Sequence, residues 1–138
     1  MIKLRLLTEN DLPFLLEVRN DESTRQFLEN NSEFTYLECR TWFENTNPEW
    51  YIIEVDELKV GYVRTNGDEI GCDIHPDYRR KGYAKTAYEI YLKDKSYASL
   101  WVFEDNFAKD LYTKSGFKAT ESFKYIRERK YIKMEYHG

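Results

Sequence analysis

Apolar and polar residues alternate at the start of the chain, Ile2, Leu4 and Leu6 against Lys3 and Arg5, which predicts a strand. The period then lengthens. Leu12, Leu15 and Leu16 form a helical stripe, with Thr8 able to cap the helix, Asp11 at the third position and Pro13 tolerated near the start. The stretch from Asn20 to Ser32 reads as a loop with room for one helical turn. Thr35 and Glu38 make a capping-box pair ahead of Trp42 and Phe43, so a second short helix is expected there.

From Glu49 the alternation returns. Trp50 to Val55 and Lys59 to Thr65 flank Asp56-Glu57-Leu58 as a hairpin, and Asn66-Gly67-Asp68 is a further tight turn. Glu69 to Ile74 follows as a third strand, ended by Pro76. Ala84, Ala87, Tyr88, Tyr91 and Leu92 recur at helical spacing, and Ser99 to Phe103 reads as a short buried strand. Ala108, Leu111 and Tyr112 form the inner face of another helix, with Gly116 as its stop. Lys118 to Tyr136 gives two strands with a turn near Arg127-Glu128. The order β-α-α-β-β-β-α-β-α-β-β predicts an α+β fold, a mixed sheet with helices packed on it. One strand–helix–strand crossover falls between residues 69 and 103. No repeat or low-complexity linker divides residues 1–138, so a single domain is expected.

Composition narrows the class. A length of 138 residues suits one domain with a real core, and 41% hydrophobic with 33% charged residues is a soluble, globular profile. Aromatics reach 17%, with twelve Tyr; most are expected to fill the core, though some could line a cleft. The net charge of -4 disfavours nucleic acid and anionic membrane as partners, while a local basic patch could still hold a compact anion. Cys39 and Cys72 lie far apart without CxxC spacing, so neither a disulfide framework nor a zinc site is suggested, and no metal is expected. No long apolar run is present and the opening residues read as a strand rather than a signal peptide, which makes the cytoplasm the default location.

The chemistry concentrates in Ile74-His75-Pro76-Asp77-Tyr78-Arg79-Arg80-Lys81-Gly82-Tyr83-Ala84. A strand runs out, a basic loop turns, and a helix begins at a glycine. The helix start leaves backbone N–H groups unpaired, and with the helix dipole these favour an anion. Gly82 has no Cβ to block a phosphate, Ala84 keeps the next turn thin, and Arg79, Arg80 and Lys81 add cationic donors. The segment reads as a diphosphate cradle; the ordinary alternative is a solvated basic loop before an amphipathic helix.

The same residues resemble the GNAT superfamily of acyl-CoA-dependent acetyltransferases, whose signature Arg/Gln-x-x-Gly-x-Gly/Ala follows a strand. Here it is Arg79-x-x-Gly82-x-Ala84, preceded by His75-Pro76. The family's later signature is similar to Leu100-Trp101-Val102-Phe103-Glu104-Asp105-Asn106, then Ala108, Leu111-Tyr112, Lys114 and Gly116-Phe117. The element order resembles the family over nearly the whole chain. One departure stands out: Asn106 and Ala108 are one residue closer than the family's Asn-x-x-Ala.

The resemblance implies a mostly antiparallel central sheet flanked by helices, acetyl-CoA as co-substrate, and direct attack of an amine on the thioester. It implies pantetheine contacts from backbone N–H groups near Cys72 and Ile74, and pyrophosphate contacts from Arg79, Arg80, Lys81, Gly82, Tyr83 and Ala84. Asn106 would touch the CoA arm. Tyr112 matches the family's general acid, against the alternative of a core tyrosine. For the general base two carboxylates stand side by side. Glu69, Gly71 and Asp73 share one strand face by alternation, so Glu69 or Asp73 could take the amine proton, or could instead cap a turn and face solvent. His75 reads as loop scaffold, and Cys72 as a small buried residue rather than a nucleophile.

The acceptor stays open. Arg19-Asn20, Arg25 and Trp42 resemble the branch that acetylates ribosomal-protein N-termini and nucleotide-linked amino sugars. The candidates in order are an amino-sugar nucleotide, a peptide or protein N-terminus, and another small amine. A homodimer is compatible with the family, and a non-catalytic acyl-CoA-binding module on the same fold is the rival from another class.

Overall fold

The alternating segments pair into one open sheet. In the computed structural model, which describes residues 1–138, seven strands form it: β1 (Ile2–Leu6), β2 (Tyr51–Val55), β3 (Leu58–Asn66), β4 (Glu69–Ile74), β5 (Tyr97–Phe103), β6 (Phe117–Ile126) and β7 (Arg129–His137). Their order is β1-β2-β3-β4-β5-β7-β6, antiparallel throughout except for β4 and β5. Five helices complete the chain: α1 (Leu12–Asn20), α2 (Glu22–Arg25), α3 (Tyr36–Thr46), α4 (Tyr83–Leu92) and α5 (Ala108–Lys114). The two-residue hairpin turns Asp56-Glu57 and Arg127-Glu128 place non-glycine residues at φ of 49, 71, 50 and 63°. That left-handed pair is what matches the twist of the flanking strands.

The first helix differs from its expected form. Thr8 caps a short 3-10 turn, Glu9–Asp11, and α1 begins only at Leu12. The reason is Asp11, whose buried carboxylate accepts from the Thr8 N–H at 2.8 Å and from Arg5 at 2.7 and 2.8 Å, with Lys59 at 2.7 Å. Burial alone would raise its pKa, but these donors outweigh it and hold the carboxyl well below the usual carboxylate range. The Thr35–Glu38 capping box forms as expected, with reciprocal bonds of 2.9 and 3.1 Å. The single turn allowed within Asn20–Ser32 is α2, started by Asp21, which accepts from the Ser23 N–H at 3.0 Å.

Of the aromatics, Tyr62, Tyr88, Phe103, Phe117 and Tyr131 are buried, and others pack half-buried against the core rather than within it. Tyr88 and Phe117 pack with Ile70, Leu92, Leu100 and Met134 on the α4 and α5 side. On the other face Leu12, Leu15, Val18, Ile52 and Tyr62 meet Trp42 and Trp50, whose rings lie 4.6 Å apart. Each such fully buried side chain contributes roughly 1.5–3 kcal/mol. No helix is long and apolar enough to cross a membrane.

The feature that positions the site is the crossover. β4 and β5 share a single pair of partners, Glu69 and Ser99, where the Ser99 N–H donates to the Asp68 carbonyl at 2.8 Å. Beyond that point the two strands part.

Candidate active site

Backbone direction on β4 follows from two bonds. The Asp68 carbonyl faces β5, so by two-residue alternation the N–H and C=O groups of Cys72 and Ile74 face the same way. In phase with this, the His75 N–H donates to the Val60 carbonyl at 2.8 Å, on the β3 side. The Cys72 and Ile74 amides therefore face a gap that no strand fills.

A cavity of about 220 Å³ occupies this gap, and Cys72, Asp73, Ile74, Arg79, Asn106 and Tyr112 all border it. Six residues singled out in the sequence thus meet at one place. Glu69 is not among them. It opens onto an adjoining cavity of about 280 Å³, which shares Arg64, Trp101 and Tyr131 with the first. Arg80, Lys81 and Gly82 lie apart from both, exposed at the start of α4.

Tyr112 packs its ring edge-on against Tyr88, with centroids 5.5 Å apart, and burial pushes its phenol up to about 12. It is therefore protonated at neutral pH. Burial also raises the Cys72 thiol well above its usual range, which leaves it a poor nucleophile. The buried hydroxyls of Tyr62 and Tyr88 have no hydrogen-bond partner. Arg64 reaches Asp73, Nε to Oδ2 at 3.0 Å, yet the contact is too bent to be a hydrogen bond and both atoms remain without one. Burial would lower the Arg64 pKa, but Asp73 together with Tyr62, Tyr88 and Tyr112 outweighs it and the guanidinium stays charged. Gly71 permits the contact, since a Cβ there would fall 2.3 Å from Arg64 Nη2. Asp73 is thus paired, while Glu69 is exposed and makes no ion pair. Of these buried atoms without a hydrogen bond, those of Arg64 and Asp73 border the gap.

The side chain of Arg79 is committed within the fold. Its Nε donates to the Ile74 carbonyl at 3.1 Å, and its two terminal nitrogens to Ser23 Oγ at 2.6 Å and Thr24 Oγ1 at 2.8 Å. It ties α2 to the end of β4. Gly82 precedes α4 at φ 79° with no side-chain cap, so the Tyr83, Ala84 and Lys85 N–H groups have no intrahelical acceptor. A Cβ at Gly82 would meet nothing within 4 Å, so the space before the helix is open.

Asn106 precedes α5, and its Oδ1 accepts from the Ala108 N–H at 2.9 Å. His75 joins the loop scaffold, with Nδ1 accepting from the Asp77 N–H at 3.1 Å and Nε2 lying 3.1 Å from Glu17. Arg19 and Arg25 donate to the backbone carbonyls of Asn30, Ser32, Asn20 and Asn31. No group of three or more His, Cys, Asp or Glu is placed to hold a metal ion.

Sequence reasoning missed Arg64 and Tyr131. The signal for Arg64 was the register set by the turn at Gly67, which puts Arg64 opposite Gly71. Tyr131 reaches the site only because β7 inserts between β5 and β6.

A family model described as an acetyltransferase (GNAT) domain matches residues 2–105. No curated protein matches the sequence. Among solved structures, the fold is similar to a spermidine N-acetyltransferase from Vibrio cholerae in complex with CoA and spermine. The TM-score is 0.85 at 20% identity, over 99% of this chain and 95% of that one. It is similar to a ribosomal-protein-alanine N-acetyltransferase from Brucella melitensis, TM-score 0.75 at 20% identity over 99% of both chains. It is also similar to yncA from Salmonella typhimurium with its cofactor acetyl-CoA, TM-score 0.78 at 16% identity, covering 99% and 94%.

Proposed function

The chain belongs to the GNAT acetyltransferase family, and from that premise we propose that it acetylates a primary amine by direct attack on acetyl-CoA. The observation that carries this reading is the parting of β4 from β5, with the Cys72 and Ile74 amides facing a gap that Arg64, Asp73 and Tyr112 border. When bound, acetyl-CoA supplies a thioester carbonyl to the amine and a thiol as the leaving group.

The residues fit such a ligand. The Cys72 and Ile74 amides would hold the amide-rich arm as a missing strand neighbour would. The uncapped N–H groups at Tyr83, Ala84 and Lys85 would hold the pyrophosphate, with Arg80 and Lys81 supplying charge around it. Arg79 contributes by fixing α2 beside the gap rather than by donating to phosphate. Tyr112 borders the gap as a protonated phenol and would give its Oη proton to the departing sulfur. Glu69, free of ion pairs, would take the proton of the incoming amine, while Asp73 orients Arg64.

The acceptor reading shifts with Arg19 and Arg25. Both are committed to backbone carbonyls, which favours a small amine over an acceptor that carries phosphate. Thiol release on mixing the protein with acetyl-CoA and a panel of primary amines tests the proposal. Release that depends on both the protein and one of the amines is expected. Tight acetyl-CoA binding with no amine-dependent thiol would contradict it.

A further inference from the structure

Lys124 lies on the edge strand β6, directly across from Tyr131 on β7. Its ammonium stands 4.6 Å above the Trp101 ring, 5.7 Å from the Tyr131 ring and 2.7 Å from the Glu29 carboxylate. Trp101, Tyr131 and Glu29 also line the cavity onto which Glu69 opens. Two aromatic faces and a carboxylate at the edge of that cavity therefore already hold a primary ammonium, and it is the protein's own. This set of partners selects an alkylammonium over a neutral group, because the ring quadrupoles and the carboxylate all favour positive charge.

The grip on Lys124 is loose. Its side chain is 43% exposed and that of Glu29 56%, and the flexible stem can swing into solvent without moving β6. The other charges of the cavity are settled. Arg19 donates to the Asn30 and Ser32 carbonyls, and Arg64 is paired with Asp73. With Lys124 withdrawn, two carboxylates without a cation remain, Glu29 and Glu69.

We propose that Trp101, Tyr131 and Glu29 form a specificity box for a second ammonium on the acceptor, which displaces Lys124 as an internal stand-in. The acceptor class is then a diamine or longer polycationic amine. This rests on the acetyl-transfer reading, with the reacting amine at the Glu69 end. The distal ammonium stays charged in the box. A neutral or phosphate-bearing acceptor gains nothing from it.

Calorimetric titration of the CoA-loaded protein with putrescine and with n-butylamine separates the box from the reaction. Putrescine is expected to bind at least about tenfold more tightly. Glu29→Gln should erase most of that preference, and Lys124→Met, on an exposed edge position, should strengthen putrescine binding several-fold by removing the competitor. Equal affinity for the two amines, or weaker putrescine binding in Lys124→Met, would overturn the box. Preferential binding without thiol release supports the box and counts against transfer; thiol release at equal affinity does the reverse.

Discussion

At the residue scale the site depends on who is already partnered. Asp73 and Glu69 share a strand face and were equal candidates for the amine proton, yet Arg64 lies across Gly71 to meet only Asp73. Arg79 looked like a phosphate donor and instead bonds Ser23 and Thr24. These distinctions were not legible in the sequence, because a side chain's partner is set by register and by neighbours far away in the chain. The place of Tyr112 beside the gap was legible, and its chemistry carries a pH consequence. With its phenol pushed up to about 12 by burial, it stays protonated at every pH below roughly 11, so it adds no falling limb to the rate profile there. Activity should therefore only rise with pH as the amine loses its proton. Tyr112→Phe should lower kcat about a hundredfold with little change in acetyl-CoA affinity, checked by steady-state thiol release beside calorimetry. Wild-type turnover in that variant would remove Tyr112 as the acid.

At the element scale the start of α4 acts as a unit. Its N–H groups are free because Gly82 offers no side-chain cap, and its φ of 79° turns the chain into the helix. The sequence announced this element through Arg79-x-x-Gly82-x-Ala84, since glycine placement is a local property. A Cβ at Gly82 meets no neighbour within 4 Å, so free Gly82→Val should fold, with a stability loss of about 1–2 kcal/mol from the left-handed backbone. Acetyl-CoA affinity, read by calorimetry, should fall at least about tenfold, as the added carbons fill the space before the helix. Unchanged affinity would move the pyrophosphate elsewhere. The shift of the first helix start from Thr8 to Leu12 has a tertiary cause: Asp11 turns inward to Arg5 and Lys59, and the meeting of these side chains is set by strand pairing rather than by the local pattern.

At the scale of the whole molecule, alternation and turn chemistry marked every strand, and the hairpin turns form near the expected Arg127-Glu128 and within the expected Asp56-Glu57-Leu58, of which Leu58 already belongs to β3. The order β5-β7-β6 was not readable, because it depends on which edge a returning strand joins. That order brings Tyr131 and Lys124 to the acceptor side and so decides the cavity's character. β4 and β5 pair at one position only, Glu69 with Ser99, and the parting beyond it is where acetyl-CoA would lie. Backbone amide shifts recorded by NMR during a titration with CoA test that placement most directly. The largest changes are expected at Cys72, Ile74 and the amides of Tyr83, Ala84 and Lys85. Changes confined to other parts of the sheet, with these five amides unmoved, would contradict that placement.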